Sequence, residues 1–176
     1  MRTVRLMHAA FIAVLIVLDT YLGSFVNSLG ISQFVYVSSL AFIGMLLLSQ
    51  TEDAQPFFIK VMLVGVYLDL NQVGVFPSHL VAYLVTFLLM FQLKSYIGNS
   101  LHEFYVFVII ALSINELLVY LINTMVFNTQ MSLVYFVSVR SFWVIVGACV
   151  CLPLVVSFNK RMHRYILQKA QNIYMG

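Results

Sequence analysis

Residues 101–127 read LHEFYVFVIIALSINELLVYLINTMVF. From Phe104 to Phe127 the one charged side chain is Glu116, and as a helix this stretch would extend about 36 Å at 1.5 Å per residue. That exceeds the roughly 30 Å hydrocarbon core of a bilayer, so the segment reads as a transmembrane helix. The rest of the chain has the same character. Its 176 residues are 62% hydrophobic and 9% charged, with a mean hydropathy of +1.01, more apolar side chain than a soluble domain of this length carries. Long apolar runs alternate with short segments that hold nearly all the Lys, Arg, Asp and Glu, the pattern of a multi-span bundle. The net charge of +3 and pI near 8.9 do not point to nucleic acid. The basic residues flank apolar runs, where anionic lipid headgroups are the nearest anions.

Working outward from this segment, the pattern predicts an all-α integral membrane protein of one domain with six transmembrane helices. They fall at about residues 6–26, 31–49, 56–73, 75–93, 101–127 and 133–158, followed by a basic tail at 159–176. The strictly apolar cores of the third and fourth, 57–70 and 80–93, are shorter than the roughly 20 residues a span needs, which predicts tilt or local bilayer thinning. Arg2 and Arg5 before an apolar stretch are how a secretory signal begins. This stretch, however, is too long, contains Asp19, and leads to no small-x-small cleavage site, so a permanent helix is expected. In a six-helix arrangement Arg2, Arg5, Lys60, Lys94, Lys160, Arg161, Arg164 and Lys169 all fall on one side. The opposite connections, near residues 27–30, 71–74 and 128–132, carry no charge. The positive-inside rule then places both termini in the cytoplasm.

Four charges remain inside the spans: Asp19, Asp69, Glu116 and Arg140. Each costs at least about 2.5 kcal/mol at mid-bilayer, so each is expected to face the bundle interior and find a partner. Counting 1.5 Å per residue, Asp19, Asp69 and Glu116 lie about 18 to 20 Å from the cytoplasmic starts of their helices, and Arg140 about 10 Å below the outer end of its own. One level in the outer third of the membrane is implied, with Arg140 neutralising Glu116 or Asp69. Such a cluster is either a proton, ion or ligand site or a structural lock that fixes helix order. The single Arg makes internal pairing sufficient, which favours the lock. Tyr120 and Asn123 share a helical face with Glu116, predicting a polar, inward face.

Other motifs carry less. Cys149 and Cys151, two apart on a helix, point to different sides and favour neither a disulfide nor a metal pair. His8, His79, His102 and His163 are scattered at helix ends, where interfacial histidines are common, and no metal site is expected. Ala9 and Ala13 form a small-xxx-small pair that lets another helix approach closely, most simply one within the bundle. No Gly-rich phosphate loop, Ser/His/Asp set or HExxH motif occurs, so neither an enzyme nor a cofactor is expected. Lys160, Arg161, Arg164 and Lys169 are candidates for contact with anionic lipid or a cytoplasmic partner.

The stretch from Gly65 through Asp69, the Gly74 turn and the Ala82-Tyr83-Leu84-Val85 run resembles the third and fourth helices of the rod shape-determining protein MreD family. There a glycine, an aspartate four residues later, a short Gly-bearing turn and an Ala/Cys-Tyr-Leu run recur. The regions around Glu116 and from Arg140 to Pro153, running into a basic tail, look like the family's later spans. The likeness extends from about Lys60 onward. It implies a membrane scaffold of the bacterial cell-elongation machinery, with the bitopic protein MreC as partner and RodA, a penicillin-binding transpeptidase and MreB as further associates. It also implies Gly65 as a helix-packing residue. The family is similar in architecture to the substrate-binding S components of energy-coupling-factor transporters, and Ala9-x-x-x-Ala13 resembles the motif by which those dock. A small-molecule-binding transporter subunit is therefore the alternative.

Overall fold

A computed structural model of the chain describes residues 2–28, 39–71, 77–96, 100–127 and 132–174. Every element among them is helical: α1 (Arg2–Ser28), α2 (Leu40–Thr51), α3 (Ala54–Asn71), α4 (Ser78–Leu93) with a 3-10 turn at Lys94–Tyr96, α5 (Leu101–Phe127), and α6 (Leu133–Phe136). α6 continues through a π-helical turn, Val137–Ser141, into α7 (Phe142–Tyr174). Among the described residues four segments are long and apolar enough to cross a membrane, Leu6–Val26, Ser78–Tyr96, Leu101–Val126 and Leu133–Tyr165. The chain is an all-helical membrane protein.

The boundaries differ from the sequence pattern in three places. For the expected second span, residues 31–38 lie outside the described residues, and α2 is seen from Leu40. The fourth helix begins at Ser78 rather than Val75, since Pro77 is the residue before the first helical turn and residues 72–76 lie outside the described residues. The last helix does not stop at Phe158 but continues to Tyr174. Between Pro153 and Gly176 the sequence offers neither a Gly nor a Pro to end it, and Lys, Arg, Met, Leu, Gln and Ala are all good helix formers. The uncharged turns expected near 27–30, 71–74 and 128–132 fall largely outside the described residues.

α2 is the axis of the bundle. Every residue from Leu40 to Ser49 is buried, and a helix apolar all round belongs inside. It packs against α1, α3, α4 and α7, while α5 closes the ring between α4 and α7. Phe42 of α2, Phe57 of α3, and Tyr83 and Phe87 of α4 interlock, with ring centroids 4.9 to 5.6 Å apart.

Two glycines set the helix spacing. A Cβ on Gly65 would stand 2.8 Å from the Leu80 Cα, whereas one on Gly44 would meet the Cδ1 end of Leu15 at 2.3 Å, and one on Gly23 would meet nothing within 4 Å. Backbone cannot step aside as a leucine tip can. We expect Gly65→Ala to destabilise the protein by about 1 to 3 kcal/mol through overpacking, Gly44→Ala to cost less, and Gly23→Ala to be neutral or better. Thermal unfolding of the three variants in one detergent checks this order.

The small pair on α1 lies elsewhere. Ala9 and Ala13 were expected to serve packing within the bundle, but both are exposed. α1 turns Phe11, Ile12 and Leu15 to Gly44, which puts Ala9 and Ala13 on its opposite face.

Candidate functional site: buried charges at the two ends of the bundle

A helix that begins inside a bundle leaves backbone N–H groups without partners, and in hydrocarbon water does not supply one. The residues just before α2 and α4 offer no remedy. Ser39 makes no side-chain cap hydrogen bond, and the corresponding residue of α4 is Pro77. A carboxylate from the preceding helix fills the gap in both cases. Asp19 of α1 accepts from the Leu40 and Ala41 N–H groups, each at 2.7 Å. Asp69 of α3 accepts from those of His79 and Leu80 at 2.8 and 2.9 Å. Negative charge there also complements the positive end of the helix dipole.

The third hairpin solves the problem differently. Ser132 caps α6 with its own hydroxyl, accepting from the Tyr135 N–H at 3.3 Å. Glu116 of α5 pairs instead with Arg140, whose Nε donates to Oε2 at 3.0 Å; the two side chains are 6% and 19% exposed. Arg140 belongs to the π-helical turn, where a wider turn changes the direction in which side chains leave the helix. Tyr120 packs against Phe136 with the rings tilted by 45° and centroids 5.1 Å apart, on the face it shares with Glu116.

The four charges singled out in the sequence thus do not form a single hydrogen-bonded network among the hydrogen bonds of the described residues. Two are helix caps, two are an ion pair, and Asp69 is not the partner of Arg140. They remain electrostatic neighbours. Buried Tyr83 lies in the field of Asp19, Glu116 and Arg140, and buried His79 in that of Arg140 and Asp69. Beside Glu116, Asn115 is 4% exposed and its Oδ1 has no hydrogen-bond partner among the described residues.

A second buried cluster lies at the other end of α1 and α2. Glu52, at the end of α2, is held by His8 Nδ1 of α1 and by Lys60 Nζ of α3. Lys94 lies alongside, its ammonium donating to the Ser49 carbonyl at 3.2 Å and lying 3.6 Å from the Phe91 ring centroid. The cation thereby satisfies an end carbonyl of α2. One carboxylate here joins three helices. Sequence reading singled out neither Glu52 nor Asp53, of which the first is buried and the second exposed. His8 and His79, expected at interfaces, are both buried. No local signal in the sequence joined His8 to Glu52, since His8 lies 44 residues before it.

Lys160, Arg161 and Arg164 are exposed on α7; the side chain of Lys169 lies outside the described residues. Neither Cys149 nor Cys151 is in a disulfide, and no three His, Cys, Asp or Glu among the described residues are grouped to hold a metal ion. No family model, curated protein or solved structure matches the chain.

Proposed function

We propose that this membrane bundle is a scaffold of the bacterial cell-elongation machinery, a six-span protein of the plasma membrane with both termini in the cytoplasm, whose direct partner is the bitopic protein MreC. RodA, a penicillin-binding transpeptidase and MreB would join through that complex, and no chemistry is assigned to the chain itself. The observation that carries the reading is the Gly65–Asp69 pair. These two residues, on which the likeness to the MreD family turns, are one helical turn apart, and both face the first turn of α4: Gly65 admits Leu80, and Asp69 caps His79 and Leu80. The exposed Ala9 and Ala13 put two small side chains on α1, a helix of which the bundle buries little. Small residues of this kind let a partner helix approach closely. The basic side chains at the Glu52 end support the orientation.

One observation favours the alternative, an S component of an energy-coupling-factor transporter. Asn115, the residue before Glu116 in the chain, buries a side-chain oxygen that has no hydrogen-bond partner among the described residues, the kind of polar group that a site for a small polar ligand would use. Affinity purification from native membranes separates the two. The scaffold reading expects a single-span MreC-type protein to co-purify, in amounts reduced by Ala9→Leu/Ala13→Leu. Recovery of a nucleotide-binding module and its membrane coupling subunit, with no single-span partner, would overturn it in favour of the transporter.

A further inference from the structure

α7 carries a charge surplus that no ion pair among the described residues balances. No Asp or Glu follows Glu116 in the sequence, while Lys160, Arg161, Arg164 and Lys169 do. Lys160, Arg161, His163, Arg164 and Tyr165 are exposed, and none of the ion pairs among the described residues involves them. Of the carboxylates at this end of the bundle, Glu52 is shared by His8 and Lys60, while Asp53 and Glu103, on the α2–α3 connection and the start of α5, are exposed and make no ion pair with α7 among the described residues.

Position along the membrane normal can be read from the packing. α1 and α2 run antiparallel, since Asp19 meets the start of α2 and His8 its end. α7 runs from the Arg140 neighbourhood to the His8 end, where the Phe158 and Phe11 rings lie 5.4 Å apart. His8 is one turn beyond Phe11, and Arg161 one turn beyond Phe158, so the exposed cations stand level with the Glu52–His8–Lys60 cluster. Lys60, Lys94, Lys160, Arg161 and Arg164 gather at this end, and basic residues so gathered are what flanks a span at the headgroup level. At this same height Met162 packs against the buried core, so the helix is held to the bundle and its orientation is fixed. Residues 160, 161 and 164 lie at i, i+1 and i+4, so Lys160 and Arg164 stack on one face with Arg161 beside them, turned away from Met162.

We propose that this face of α7 is a binding surface for anionic lipid headgroups, with Lys160, Arg161 and Arg164 contacting lipid phosphates at the membrane surface. Charge complementarity selects the occupant. An uncompensated set of cations fixed by a rigid helix at headgroup depth meets phosphate before it meets any soluble protein, and each basic residue near an anionic surface contributes enough to raise association roughly fivefold. The inference rests on the membrane embedding and on the position of α7, and stands or falls independently of the scaffold reading.

The test uses purified full-length protein in nanodiscs of phosphatidylcholine containing phosphatidylglycerol, with spin-labelled versions of either lipid as probes. The protein should immobilise phosphatidylglycerol several-fold more strongly than phosphatidylcholine, and the preference should fall as salt is added. Lys160→Gln/Arg161→Gln/Arg164→Gln should abolish it, with unfolding temperature unchanged, while Arg161→Lys/Arg164→Lys should keep it. A preference that survives in the triple Gln variant would overturn the proposal. So would equal immobilisation of the two lipids by the native protein, whether or not an acidic soluble protein is retained by the same residues.

Discussion

Arg140→Ala is expected to lower the stability of the detergent-solubilised protein by about 3 to 5 kcal/mol, the usual cost of stranding one member of a desolvated ion pair. The pair is enclosed, since Glu116 is 6% exposed and its partner 19%. Among the described residues the guanidinium makes no other hydrogen bond than the 3.0 Å contact from Nε. Glu116→Gln should be milder than Glu116→Lys, because an amide oxygen still accepts from Arg140 whereas a second cation repels it. The double mutant Glu116→Ala/Arg140→Ala supplies the coupling. A double mutant no less stable than either single mutant is expected, because the first substitution already breaks the interaction. Losses that add would mean that the two residues act independently.

Asp69→Ala should be about as damaging, by a different route. It frees two successive backbone donors at the start of α4, where unmet N–H groups cost about 1 to 3 kcal/mol each when buried. Asp69→Asn keeps one acceptor and should fall between. The distinguishing readout is local: amide hydrogen exchange in the first turn of α4 should accelerate in Asp69→Ala, and the first turn of α6, which Ser132 caps, should keep its native rate. Uniform acceleration across the bundle would argue that Asp69 holds the fold as a whole rather than one helix end.

Membrane class and the presence of costly intramembrane charges were legible in the sequence, because hydropathy and the scarcity of Asp, Glu, Lys and Arg are local properties. The Glu116–Arg140 pair was legible in part, since one Arg among three carboxylates must choose one of them. What decided the choice was not local. Asp19 and Asp69 became caps because Ser39 leaves α2 uncapped and Pro77 leads into α4, facts that follow from where each helix starts. The capped residues lie 21 and 10 positions away from the carboxylates. Ala9 and Ala13 show why spacing alone misleads. It states that two small residues share a face, and says nothing of which face the bundle takes. Gly44 receives Phe11, Ile12 and Leu15, and that contact sets the rotation of α1. Glu52 was obscured by its neighbours in sequence, since burial there depends on His8, 44 residues earlier.

The central claim is that the intramembrane charges hold the bundle together, and that partner binding depends on them only through the fold. Thermal stability and retention of the proposed single-span partner, measured together on membranes carrying Arg140→Ala, test it most directly. The account predicts that both fall, and that both recover when the bundle is stabilised by a disulfide engineered between α5 and α7 away from the pair. Stability unchanged with the partner lost would contradict it, and would assign Arg140 to recognition instead.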